Sequence, residues 1–238
     1  MGKFVIFAHA RSGSTSLAKV LGEGNGVNMA IEPFHQDYSK WNPNEPNYSQ
    51  LITDRSSLLT ALEQIFNKHN AMKVLQYQFP AEIYTELLAQ EVIKIIFLRR
   101  RNYINAVISG LIAEQTDIWK KEDATSEVIY SQLKPLNISR AREMLDYVST
   151  QMNYYEDFLE KNRKGDYIKL FYEDLYSDDK KTNIETIKRI CKFLEIDLPS
   201  EEAISKHMLP SSAKISSKGE YEQIPNYEEV LNALTKPS

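Results

Sequence analysis

A single cysteine, Cys191, stands in the 238 residues, so no intramolecular disulfide can form and no oxidising compartment is required. It falls inside an apolar-periodic segment, where a thiol reads as a small buried hydrophobe rather than a nucleophile. No run of about 18 apolar residues occurs, which argues against a spanning helix. Neither sign of charge dominates: 29 Lys and Arg meet 33 Asp and Glu, for a formal net charge of −4. Nothing global therefore points to nucleic acid or an anionic membrane, and any polyanion must be met by locally concentrated cations. Met1-Gly2-Lys3-Phe4 leads straight into a strand pattern, unlike a secretory leader, and the loop that follows comes too soon for Gly2 to head a free myristoylated tail. The expected location is cytoplasmic.

What is present reads as one ordinary globular domain over 1–238, with 42% hydrophobic and 26% charged residues and no internal repeat. Phe4 to Ala8 is a short apolar run followed by a polar turn and a helical pattern through Leu17, Val20 and Leu21. Further strands are expected at Val27–Ile31, Met72–Leu75, Val92–Leu98 and Asp166–Phe171. The run 92–98 is nearly all apolar, as a parallel strand covered on both faces should be. Helices are expected over 58–66, from Pro80, over 102–113, 139–161, 184–194 and 226–234. Segment 33–52 lacks periodicity and reads as a substrate loop; 115–137 reads as a polar excursion. Strands alternating with helices predict an α/β three-layer sandwich around a mostly parallel sheet.

Residues 8–15, Ala-His-Ala-Arg-Ser-Gly-Ser-Thr, carry the strongest local signal. They lie between a strand and a helix, where turn amides and the helix dipole converge on one spot and favour an anion. Compared with the nucleotide loop G-x-x-x-x-G-K-[ST], Gly13 and Thr15 fit, but Ala8 replaces the first Gly and Ser14 the Lys. The missing cation returns earlier, as Arg11. A second basic element closes the strand 92–98: Arg99-Arg100-Arg101-Asn102, where a magnesium nucleotide enzyme would be expected to place an Asp. Strand carboxyl ends are where open α/β sheets bind ligands. Three adjacent cations there call for an anion, and Ser109, eight residues past Arg101, adds a hydroxyl to the same phosphate.

This pair of elements resembles the 3′-phosphoadenosine 5′-phosphosulfate (PAPS)-dependent sulfotransferases, bacterial and carbohydrate-type members included. Ile31-Glu32-Pro33-Phe34, Lys73 with Gln78, the Tyr172-Glu173-Asp174-Leu175 run and the basic stretch around Lys214 and Lys218 extend the likeness in order along almost the whole chain. Three features depart from it: Arg11 stands where many members have Lys, the three arginines leave their register open, and no R-K-G triplet of the cytosolic type appears, Lys218-Gly219 being only a partial echo. The resemblance implies a P-loop-like fold and PAPS as co-substrate, leaving adenosine 3′,5′-bisphosphate (PAP). It implies a nucleotide site of Arg11, Ser12, Gly13, Ser14, Thr15 and Ser16 for the 5′-phosphosulfate and Arg101 with Ser109 for the 3′-phosphate. Arg99 and Arg100 are alternatives to Arg101. Lys214 and Lys218 would sit on a loop, 210–225, closing over the nucleotide.

Transfer of a sulfuryl group needs stabilised charge and a base, and no metal is expected, because both phosphate elements already carry fixed cations. Arg11 would stabilise the leaving phosphate. Glu32, ending the second strand, is the expected base, with His35 the alternative. Lys73 would neutralise the sulfuryl oxygens or pair with Glu32. Phe34, Tyr38, Trp41 and Tyr48 suit either stacking on a sugar or other flat acceptor, or local packing. The expected partner is a small molecule or carbohydrate, not nucleic acid; oligomeric state is not legible. Rival readings are a P-loop kinase of a small molecule and a non-catalytic nucleotide- or glycan-binding protein on the same scaffold.

Overall fold

The computed structural model describes residues 2–23, 26–119, 133–208 and 221–235. Five strands form one sheet: β1 (Lys3–Ala8), β2 (Met29–Ile31), β3 (Ala71–Leu75), β4 (Ile93–Arg99) and β5 (Tyr167–Phe171). Their order is β2-β3-β1-β4-β5, and all pairs are parallel. Every loop that leaves a strand therefore emerges on one edge of the sheet. β1 lies at the centre, with Ala8 in register with Leu75 on one side and Leu98 on the other.

Alternation along the strands divides the core into two layers. Val5, Phe7, Met72, Val74, Ile95 and Phe97 pack on one face against α4 (Arg55–Lys68), α5 (Ala81–Leu88), α6 (Ile104–Thr116), the long α7 (Ile138–Asn162) and the closing α11 (Tyr227–Thr235). Phe4, Ile6, Ala8, Ile96 and Leu98 pack on the other against α1 (Ser14–Gly22), α8 (Tyr172–Leu175), α9 (Lys180–Leu194) and α10 (Glu201–Met208). The result is the α/β sandwich that the strand–helix alternation predicts, on a P-loop-like plan with the sheet's centre strand feeding a phosphate loop. Cys191 is buried on α9, and burial raises its thiol to about 11, which keeps it protonated and inert.

Two turns differ from their sequence reading. Segment 33–52 forms α2 (Tyr38–Trp41) and α3 (Tyr48–Leu51), each one turn long and too short to show a period. Phe34, Tyr38 and Tyr48 are buried in the core, so packing accounts for three of the four aromatics, and only Trp41 is largely exposed. Arg163 fastens the end of α7 to the sheet: its guanidinium donates to the carbonyls of Leu88, Gln90 and Ile93. Among the described residues no helix is long and apolar enough to cross a membrane.

Candidate active site

The phosphate loop takes its shape from two left-handed residues, Arg11 (φ 61°) and Gly13 (φ 77°). Gly13 needs this conformation and also has no room for a side chain: a Cβ there would lie 2.7 Å from Cζ of Tyr176. Arg11 tolerates it at a cost of about 1–2 kcal/mol, which directs its side chain across the loop mouth. There Nε donates to Oγ of Ser109 at 2.9 Å and Nη1 to the Trp119 carbonyl at 2.9 Å. The turn after β1 and Ser109 of the second basic element, 98 residues apart in sequence, are thus brought into contact. Ser12 and Ser14 are buried, Thr15 is exposed, and the Ser12 hydroxyl has no partner.

The three arginines after β4 go to three places. Arg99 turns to α7, ion-paired with Glu156 and donating to Asn153 at 2.8 Å. Arg101 makes a bidentate pair with Asp174, both contacts at 2.8 Å, and its backbone N–H donates to Glu173 at 3.1 Å. Arg100 follows Leu98 onto the face of α1, and its guanidinium lies 3.8 Å from the ring centroid of Tyr172. Among the described residues it has no carboxylate partner, and its Nε has no hydrogen-bond acceptor. The eight-residue spacing to Ser109 points to Arg101; the geometry instead leaves Arg100 as the unneutralised cation beside Arg11. Their repulsion, with burial as the larger cause, holds the Arg11 guanidinium below its ordinary value. Tyr221, buried, lies against Ser109, Arg100 and Arg11. Sequence reasoning missed it because it follows the basic stretch without a motif of its own.

Beneath the loop, His9 is buried, with Nδ1 2.6 Å from the Ala10 carbonyl and Nε2 without a partner. Burial, helped by Arg100, pushes it down to about 3, so it is neutral. Lys214 and Lys218 lie outside the described residues.

The second corner is the end of β2. Glu32 occupies the left-handed region (φ 54°), and its backbone N–H donates to the Lys73 carbonyl at 2.7 Å. Lys73 is buried and ion-paired with Glu32 Oε1. Gln78 donates to Oε2 at 3.1 Å, its own carbonyl oxygen fixed by the Leu75 N–H at 3.0 Å. Burial lowers the Lys73 ammonium, opposed by the Glu32 charge. Of the two expected roles of Lys73, pairing with Glu32 is the one this arrangement displays. Exposed Tyr77 lies near enough to Glu32 that the carboxylate, after burial, helps raise its phenol to about 12. The His35 ring stacks on Trp41 at 4.5 Å, and its Nδ1 accepts from the Asp37 N–H at 3.1 Å. β3 lies between β2 and β1, so Glu32 and the phosphate loop are two strand spacings apart, about 10 Å. The Gln76 N–H, donating to Ala8 at 3.0 Å, ties the intervening turn to the loop.

Fold and site together define an α/β protein with a P-loop-like strand, turn and helix, which carries arginines and hydroxyls where magnesium nucleotide enzymes have a lysine and a carboxylate. The chain belongs to the sulfotransferase family: the model of the sulfotransferase domain matches residues 2–230. Sulfuryl transfer is the reaction of that family, and its members are transferases. Among solved structures it is similar to a sulfotransferase from Alicyclobacillus acidocaldarius, at 14% identity and TM-score 0.49, covering 98% of this chain and 94% of that one. A mouse sulfotransferase complexed with PAP has 15% identity and TM-score 0.46, covering 99% and 74%. The sulfotransferase domain of the curacin biosynthetic pathway has 14% identity and TM-score 0.46, covering 100% and 99%. No curated protein matches the chain.

Proposed function

We propose that the chain, acting as one domain, moves the sulfuryl group of PAPS to a hydroxyl of a small-molecule or carbohydrate acceptor. The observation that supports this reading is the 2.9 Å contact between Arg11 and Ser109, which brings two cation-and-hydroxyl elements together, as gripping a doubly phosphorylated nucleotide would require. The loop amides, Ser12, Ser14, Thr15, Ser16 and Arg11 take the 5′-phosphosulfate. Ser109 takes the 3′-phosphate with Arg100, and Arg101 remains at the rim in its pair with Asp174.

The acceptor oxygen attacks sulfur in line as the bond from sulfur to the 5′-phosphate oxygen breaks, and PAP leaves. Glu32 takes the hydroxyl proton, its carboxylate held on both oxygens by Lys73 and Gln78. Arg11 offsets the charge that accumulates on the leaving phosphate. Tyr77, exposed and within reach of the Glu32 charge, offers a flat face near this corner for a ring-bearing acceptor. Glu32→Gln tests the base. Turnover should fall by about 10³-fold while PAP affinity stays within a few-fold, because the charge removed is not one that grips phosphate. Normal turnover in that variant would remove Glu32 from the chemistry.

A further inference from the structure

Tyr176 lies outside the motifs that suggest the site, and behind the phosphate loop rather than in it. It is buried, and its hydroxyl donates to the Gly13 carbonyl. The same oxygen accepts the first helical hydrogen bond of α1, from the Leu17 N–H at 3.1 Å. Its ring occupies the space that a side chain at position 13 would need. Burial raises the phenol strongly, so the hydroxyl stays a donor. The peptide joining Gly13 to Ser14 is planar and trans, so its carbonyl and its N–H point in opposite directions. A carbonyl anchored behind the loop directs the Ser14 N–H out of it, towards the anion.

The anchor is also connected to the second cation element. The rings of Tyr172 and Tyr176 lie 4.6 Å apart at 30°, and the Arg100 guanidinium lies 3.8 Å from the Tyr172 ring centroid. Arg100, Tyr172, Tyr176 and Gly13 are thus linked by successive contacts from the end of β4 to the loop.

We propose that Tyr176 is a positioning residue for the transfer: it holds the Gly13–Ser14 peptide so that its N–H meets the leaving 5′-phosphate. This rests on the nucleotide reading above. The test compares wild type with Tyr176→Phe, which keeps the ring and removes the hydroxyl. Affinities for PAP and for adenosine 3′-monophosphate are measured by calorimetry. PAP affinity should fall about tenfold, the worth of one well-aimed hydrogen bond, and 3′-monophosphate affinity should stay within about twofold. In ¹⁵N-labelled protein the Ser14 amide proton should move downfield on PAP binding in wild type and much less in the variant. Equal losses for both nucleotides, no loss for PAP, or an unchanged Ser14 response would overturn the proposal. So would failure of Tyr176→Phe to fold, which would make the hydroxyl a requirement of the fold alone. If wild type itself does not bind PAP, the nucleotide reading falls first; if wild type binds and the variant binds equally, only the role of Tyr176 falls.

Discussion

At the phosphate loop, Arg11 and Arg100 stand close together and, among the described residues, neither has a carboxylate against it. At the end of β2, two strand spacings away, Glu32 has a donor on each carboxylate oxygen. Both corners place a non-glycine residue in the left-handed region, Arg11 and Glu32, and both lie on the same edge of the sheet. Their electrostatics are opposite. Clustered cations without counter-ions suit a ligand that brings its own negative charge. A carboxylate already neutralised by Lys73 does not repel an anionic donor nearby, yet its remaining lone pairs can accept a proton from a neutral hydroxyl. The edge of the sheet is thus divided between cations without a carboxylate partner and a carboxylate closed in by its donors, which the proposed function reads as nucleotide site and base.

Breaking the closed corner should have the largest effect. Lys73→Met leaves Glu32 without its counter-ion, so turnover should fall on the order of 10²- to 10³-fold, with PAP affinity reduced only several-fold. Steady-state kinetics set beside calorimetry checks this, and turnover near wild type would mean that the neutralised pair is packing alone. The open corner is sharpened by separating its arginines. Arg100→Met should weaken PAP by about 10- to 100-fold, the worth of a charge-assisted contact. Arg101→Met should weaken it by less than about threefold, because it loses an exposed pair with Asp174 worth at most about 1 kcal/mol. The reverse ranking in PAP titrations would return the phosphate contact to Arg101.

A smaller effect concerns His9, kept neutral beneath the arginines. Between 6.5 and about 3 the unfolded chain binds a proton that folded His9 does not. Stability therefore declines as pH is lowered through that window, by about 2 kcal/mol at pH 5 from this group alone. Denaturant titrations of wild type and His9→Gln across pH 5 to 7 should show that share missing in the variant. Identical slopes would mean that His9 protonates in place and adds to the positive charge of the corner.

The strands, most helices and the order of the site elements are legible in the sequence because they rest on local periodicity and turn chemistry. The nearly apolar 92–98 run, the Gly13 turn and the apolar period from Ile184 to Leu194 all act within a few residues. What is not legible depends on distant partners. The spacing to Ser109 favours Arg101, but Asp174, 73 residues on, claims that side chain. Strand alternation alone would have sent Arg100 to the face of Leu98 and α1, where it is found. The aromatic segment 33–52 reads as a substrate loop, since two single-turn helices show no period, and its sequence leaves stacking and packing both open; the sheet's need for cover decides for packing at Phe34, Tyr38 and Tyr48. α10, eight residues long, is likewise too brief to announce itself. Tyr176 has no motif at all, because its role is to fill the space that Gly13 leaves empty.

The central claim is one cleft that grips both phosphates of one adenosine, and thermal unfolding with two nucleotides tests it most directly. PAP at about 100 times its dissociation constant should raise stability by about 2.7 kcal/mol, while ATP with Mg²⁺ should leave it nearly unchanged. Stabilisation by ATP with Mg²⁺ and none by PAP would contradict the account.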